Sequence, residues 1–348
     1  MRVSLPGFFH AVAVLFATAM TLPASTDQAV SALSVDTPEP SAARRGSVDA
    51  AMESTYQRLA ERAIELYRSN KGTGLDGRCW IGVAGGPGAG KSTLASAVAG
   101  RINSCAVAAL NNSNNSEDDS TLKAVVVPMD GYHYTREKLG EISQSYSLAD
   151  DDGSKGISRR GAPWTFDAEA LAMDLAKVKH LGQASLPEYD RVLSDPVENA
   201  VLVEPSHQIV LVEGNYILLG LLEAELDDSE HKPLQDSNLG KACSDLRSPF
   251  PIGQEILRWK KTAELWDETW FVSPPNSDND NNIESAVKIQ RDRIIRRSLE
   301  TWTKVKTHAW GGGTDREAAI RRAEFNDVRN AILVTCCRTY ADVIVDSI

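Results

Sequence analysis

The stretch 79-CWIGVAGGPGAGKSTLASAVAG-100 decides how this chain is read. Cys79 to Ala84 is a short unbroken run of apolar and small residues, the pattern of a buried strand. From Lys91 to Arg101, Leu94 and Val98 recur at helical spacing. Between strand and helix, GGPGAGKS satisfies G-x-x-x-x-G-K-[ST]. Gly85, Gly86, Gly88 and Gly90 are expected to take positive φ and to keep side chains out of the way. Backbone N–H groups then point inward and, with the positive end of the helix, hold an anion. The whole segment Gly85, Gly86, Pro87, Gly88, Ala89, Gly90, Lys91, Ser92 and Thr93 is therefore read as a cradle for a nucleoside triphosphate. Lys91 is expected to reach the β- and γ-phosphates, and Ser92 to ligate Mg²⁺ with Thr93 beside it. The competing reading is a glycine-rich loop that only turns the chain.

Two acids follow at the ends of apolar runs. Asp130 stands in 128-PMDGYHY-134, just past the strand expected at 122–129. A carboxylate there is placed to take the proton of an attacking hydroxyl. Asp-Gly is also a common turn pair, and that alternative stays open. Glu213 ends 209-IVLVEG-214, four apolar residues and then an acid, the pattern that reaches Mg²⁺ directly or through water. A strand-end carboxylate facing solvent is its alternative.

The 348 residues carry a net charge of −11. That balance argues against a nucleic-acid partner, because phosphate contacts need clustered Lys and Arg. The five cysteines show no metal-ligand spacing and read as reduced packing residues. Residues 1–47 differ from the rest. Arg2 precedes an apolar run from Phe8 to Met20, followed by a Ser/Thr/Ala/Pro-rich stretch with Arg44-Arg45. This reads as a targeting leader, for secretory entry or for an organelle such as a plastid or mitochondrion. A disordered extension on a cytoplasmic protein is the alternative. The run is too short to span a bilayer securely, so no stable span is expected in the mature protein.

Residues 48–348 read as a single domain of the α/β class, a three-layer α/β/α sandwich with a mostly parallel sheet and a helical lid. A helix is expected over about 48–69, buried strands over 122–129, 209–212 and 268–272, and a helix capped by Asp167. Thr314-x-x-Glu317 is a capping box. Val287 to Leu299 is expected to be a basic helix with Arg291, Arg293, Arg296 and Arg297. Two polar stretches, about 104–120 and 227–253, are read as surface insertions.

Taken in order, GGPGAGKST, MDGYH, RRGAPWTFD (159–167), PEYDR (187–191) and VEGNYILL (212–219) resemble the phosphoribulokinase/uridine kinase family of P-loop kinases. The closest likeness is to a bacterial and fungal branch also similar to bacterial pantothenate kinase. The resemblance implies ATP and Mg²⁺ as cofactors and a small-molecule acceptor bearing a hydroxyl. It implies Asp130 as catalytic base, with Tyr132 and His133 near the acceptor. Arg159, Arg160, Tyr189, Asp190 and Arg191 match its acceptor-binding segments. Arg293, Arg296 and Arg297 match its lid, with Lys91, Arg293 and Arg297 acting on the transferring phosphate. Asn326 matches a residue near the adenine, with Asn330 in the same segment. Arg191 stands where pantothenate kinase carries His. A switch or assembly ATPase without a small-molecule acceptor is the alternative function. A second copy of the chain is held open as a partner.

Overall fold

The computed structural model describes residues 41–70, 76–111, 122–145, 159–222, 251–274 and 283–348. In chain order the elements are α1 (Ser41–Asn70), β1 (Cys79–Ala84), α2 (Lys91–Asn111), β2 (Ala124–Pro128), α3 (Arg136–Ser145) and α4 (Ala168–Leu181). Then come β3 (Ala184–Asp190), β4 (Asp195–Val203), β5 (Ile209–Gly214), α5 (Ile252–Ala263), β6 (Glu268–Ser273) and α6 (Ile283–Glu300). The chain closes with α7 (Lys304–Ala309), α8 (Asp315–Arg322), α9 (Val328–Thr335) and β7 (Val343–Asp346). Arg45–Ile348 forms one compact unit. The unit before it, Met1–Arg44, is described only where α1 begins.

Five strands pair in parallel in the order β2-β5-β1-β6-β7. β1, β5 and β6 are buried along their whole length. Their side chains alternate between two cores because successive residues of a strand point to opposite faces. Trp80, Val210, Val212 and Phe271 enter one core, shared with Leu171, Leu175 and Val178 of α4 and with Ile256 and Trp259 of α5. Ile81, Val83, Leu211, Trp270 and Val272 enter the other, with Tyr56, Leu59 and Ala63 of α1 and Leu94, Val98 and Ile102 of α2. Each such side chain contributes roughly 1.5–3 kcal/mol by leaving water. Helices on both faces make the α/β/α sandwich.

Local signals set the boundaries. The Asp167 side chain accepts from Ala170 N at 2.9 Å at the start of α4, and Gly182 closes that helix at φ 78°. Thr314 and Glu317 form the capping box of α8. After α8 the chain makes a π-turn, Ala323–Asp327, before α9. α6, α8 and the π-turn after it share a small core of their own, Ile294, Ile295, Ala319 and Ala323, in the region expected as the lid.

Sequence patterns did not anticipate the β3–β4 hairpin, which stands apart from the main sheet. A Cβ on Gly131 would run into the Pro187 carbonyl, so the hairpin lies directly on the turn that carries Asp130. Both expected insertions turn out helical at an edge, since α2 continues to Asn111 and α5 begins at Ile252. The rest of the two insertions, and residues 1–40 of the leader, lie outside the described residues. Among the described residues no helix is long and apolar enough to cross a membrane.

Candidate active site

The glycine loop leaves β1 and enters α2 at Lys91, as a phosphate cradle requires. Gly85, Gly88 and Gly90 have φ of 150°, 76° and 101°. Gly86 does not have positive φ, and space explains it instead. A Cβ there would come within 2.5 Å of Gln290 Oε1 on α6. Lys91 is buried and donates to Asn215 Oδ1 at 2.7 Å and to the Gly86 carbonyl at 3.2 Å. Burial lowers its pKa, while Glu213 and Asp130 oppose that fall. An ammonium held this way is aimed along the loop.

Ser92 donates to Glu213 Oε1 at 2.8 Å. Register explains the meeting, because β5 lies beside β1 with Val83 opposite Glu213, and the loop begins two residues later. Glu213 is buried, and desolvation raises its pKa; the Lys91 charge opposes this and the Asp130 charge adds to it. A hydroxyl and a carboxylate joined at the mouth of a phosphate cradle are a fitting pair of oxygen ligands for Mg²⁺. The cradle, Lys91 and this pair together fit a Mg²⁺-bound nucleoside triphosphate.

Asp130 sits in a short 3₁₀ turn past β2. Pro128 pairs in register with Glu213, so both acids emerge at the same edge of the sheet. The Asp130 backbone carbonyl accepts from His133 Nδ1 at 2.7 Å, which puts the ring hydrogen on Nδ1 and leaves Nε2 a lone pair. Burial pushes the His133 pKa down, so the ring is neutral near pH 7. Its ring packs on Phe166 at 3.9 Å and on Tyr189 at 4.8 Å. The hairpin thus brings Tyr189 beside His133. Tyr132 points elsewhere. It is buried in the core and donates to Asp174 at 3.1 Å.

The expected acceptor arginines divide. Arg160 donates to Ser194 O, to Tyr134 O at 2.9 Å and to Asp195 at 2.8 Å, and lies over the Tyr189 ring. It therefore anchors the hairpin. Arg159 is buried, donates to Phe325 O and lies over the Phe325 ring, so it ties this segment to the lid. Asp190 Oδ1 accepts from Val192 N at 2.7 Å and Leu193 N at 2.9 Å, which closes the hairpin turn. Arg191 is exposed, and its charge acts on Glu213 and His133.

On the lid, Arg293 donates to Ser347 Oγ at 3.1 Å and Ser347 O at 3.2 Å, with Gly88 O at 3.4 Å. It clamps α6 onto the cradle. Arg291 pairs with Glu324 at 2.6 Å. Arg297 is exposed and its charge acts on Lys91, with Asp130 acting on it in turn. Asn326, expected near an adenine, is buried and donates to Arg160 O at 2.7 Å. Asn330 donates to Gly161 O at 3.0 Å beside it. Asn326, in the π-turn, and Asn330 thus hold the Arg159–Gly161 segment. Asn215, Gln290 and Ser347 complete the surroundings without having been singled out. Asn215 follows Glu213-Gly214 directly, and that adjacency was a usable signal.

No family model matches the chain. The "Putative uridine kinase" of Schizosaccharomyces pombe is 36% identical over 174 residues, covering 49% of this chain and 63% of that protein. The "ATP-dependent kinase-like protein notR'" of Aspergillus versicolor is 28% identical over 149 residues, covering 41% and 62%. The chain spans less than two thirds of the length of these curated relatives. Among solved structures, D-glycerate 3-kinase of Cryptococcus neoformans matches with a TM-score of 0.51 at 16% identity, over 82% of this chain and 89% of that one. YFH7 of Saccharomyces cerevisiae matches with a TM-score of 0.52 at 16% identity, over 84% and 98%. At that identity the structural likenesses speak to fold alone. The chain shares the fold of these solved structures, and its ordered motifs and its 36% identity to the first of these relatives make it similar to uridine kinase/phosphoribulokinase-like P-loop kinases.

Proposed function

We propose that the chain transfers the γ-phosphate of ATP to a hydroxyl of a small-molecule acceptor. The observation that supports this best is the 2.8 Å bond between Ser92 and Glu213 at the sheet edge that also carries Asp130. A hydrolytic switch has no need of a second acid beside the cradle, on a turn that the β3–β4 hairpin presses against.

In this reading the loop from Gly85 to Thr93 holds the phosphates and Lys91 spans the two outer ones. Ser92 and Glu213 hold Mg²⁺, which would neutralise charge on the phosphates. Asp130 accepts the acceptor's hydroxyl proton. The acceptor oxygen then bonds to the γ-phosphorus, the bond from that phosphorus to the β–γ bridging oxygen breaks, and ADP leaves. His133 offers Nε2 to orient the acceptor, and Arg297 offsets charge on the transferring group.

The test is ATP consumption with and without a panel of nucleosides, sugars, pantothenate and glycerate. At least one acceptor should raise the rate well above the basal hydrolysis. A rate that no acceptor raises, in protein that still binds ATP, favours the switch.

A further inference from the structure

His133 is seated by a segment that belongs neither to the cradle nor to the hairpin. Residues 132–134 and 165–167 meet as a short antiparallel bridge, with His133 against Phe166. Tyr134 N donates to Thr165 O at 2.9 Å, and Asp167 N to Tyr132 O at 2.8 Å. The His133 ring lies on the Phe166 ring at 3.9 Å. The position of Phe166 therefore decides where the imidazole points.

Phe166 is in turn held from α5. Its ring meets the Trp259 ring edge-on at 6.1 Å, with Tyr216 at 5.5 Å. Its carbonyl accepts from Arg258 Nη2 at 2.9 Å, and the same nitrogen donates to Tyr134 Oη at 3.0 Å. Arg258 thus ties both halves of the bridge to α5. Ring packing has little direction, whereas a guanidinium presents its N–H groups in a fixed plane, so these two bonds set the bridge's orientation. The Arg258 charge faces Glu255 one turn earlier, with Nη1 at 3.4 Å from Oε1. Glu255 is fully buried, and its Oε2 has no hydrogen-bond partner among the described residues. Such a pair is a poor source of stability, because taking two charges out of water costs about what their attraction returns. Packing alone gives no reason for an arginine here; the two oxygens on the His133 bridge do.

Resting on the kinase reading above, in which His133 orients the acceptor, we infer that Arg258 is a positioning residue for that acceptor, acting by holding the Phe166 bridge that aims the His133 ring. Glu255 serves as its counter-ion and takes no part in the aim.

Isotope-labelled histidine in the full chain gives a readout that needs no ligand. The chain has six histidines, and His133→Gln identifies the His133 imidazole signals by their loss. Spectra are taken at pH about 8, above the ordinary histidine range, so that geometry rather than charge moves the signals. Ring currents of Phe166 and Tyr189 displace them from the position of a free imidazole. The double variant Glu255→Gln with Arg258→Gln removes the guanidinium without leaving a buried charge alone, and should return them most of the way. Glu255→Gln alone keeps Arg258 and should leave them where they are. Arg258→Lys keeps the charge but reaches only one of the two oxygens, so its signals should fall between.

Turnover is measured beside this with Mg²⁺-ATP and whichever of a nucleoside, a sugar, pantothenate and glycerate the wild type phosphorylates. The double variant should lose roughly 10- to 100-fold in kcat/KM for that acceptor while the KM for ATP moves by no more than about twofold, and Arg258→Lys should recover part of the loss. His133 signals unchanged in both Arg258 variants overturn the inference, and so does a moved ring with acceptor turnover intact. ATP consumption that no acceptor raises in the wild type overturns the kinase reading and the acceptor role with it. That failure is told apart by His133 signals that still follow Arg258.

Discussion

Ser92 and Glu213, 121 residues apart in sequence, share a 2.8 Å hydrogen bond at the mouth of the glycine loop. Parallel pairing of β5 with β1 produces this, and it gives the first prediction. Glu213→Gln keeps the shape and a hydrogen bond to Ser92 but removes the charge that holds a divalent cation. Turnover at saturating Mg²⁺ should fall roughly 100-fold or more. Nucleotide binding measured without Mg²⁺ should hold or tighten, since a negative charge near the phosphates is gone. Equal Mg²⁺ dependence in the variant and the parent would place the cation elsewhere.

Asp130 separates transfer from mere capture. Asp130→Asn removes the proton acceptor and leaves the cradle, Lys91 and the Ser92–Glu213 pair in place. The expected result is a loss of roughly 10²- to 10⁴-fold in kcat with ATP affinity nearly unchanged. Stopped-flow binding of a fluorescent ATP analogue beside steady-state turnover reads both quantities. A variant with full turnover is the behaviour of a switch.

Much of this arrangement was written locally in the chain, and the exceptions have a common cause. The cradle, the Asp167 cap and the Thr314–Glu317 box each depend on residues within a few positions of one another, so short windows reveal them. Strands β1, β5 and β6 are buried on both faces, which makes them continuous apolar runs. The β3–β4 hairpin is largely exposed on β4 and lacks that signature, so the chain shows PEYDR as a motif but not the hairpin that carries it. Roles set by distant partners were the hardest. Gln290 fills the space a Cβ on Gly86 would need, and Asn326 is held by the carbonyl of Arg160, a residue 166 positions away. Nothing near Asn326 in sequence announces that it braces a turn.

Gly131 tests whether the hairpin must press on the Asp130 turn. An added Cβ meets the Pro187 carbonyl and the Glu188 amide, both backbone atoms without a side chain's freedom to swing away. Gly131→Ala should therefore either destabilise the fold by about 1–3 kcal/mol or lift the hairpin. Lifting moves Tyr189 off His133 and raises the acceptor KM, while the ATP KM, set by the loop beyond β1, is preserved. Chemical denaturation and a two-substrate kinetic grid distinguish these results. A variant unchanged in both would show that the hairpin's seat on the turn is not tight.

Glu255 provides the clearest pH dependence. It is fully buried on α5, facing the cation of Arg258 at 3.4 Å, with the Tyr216 hydroxyl within its electrostatic reach. Arg258 in turn donates to Tyr134 Oη at 3.0 Å and Phe166 O at 2.9 Å, which links α5 to the segment behind His133. Burial pushes the Glu255 carboxyl up to about 7 from an ordinary 4.5, against the pull of Arg258. Below the ordinary value both folded and unfolded chains hold this proton, and the group adds no slope. Between there and about 7 the unfolded chain has released it and the folded chain has not, so stability falls as pH rises. Above about 7 both are ionised and the cost is constant, on the order of 3 kcal/mol. Glu255→Gln keeps an acceptor for Arg258 and cannot ionise. The difference in unfolding free energy between wild type and variant should shift in the variant's favour from pH 5 to pH 8 by an amount of this order. A difference that stays flat across that window would mean that Glu255 ionises alike in both states, and that Arg258 fully offsets its burial.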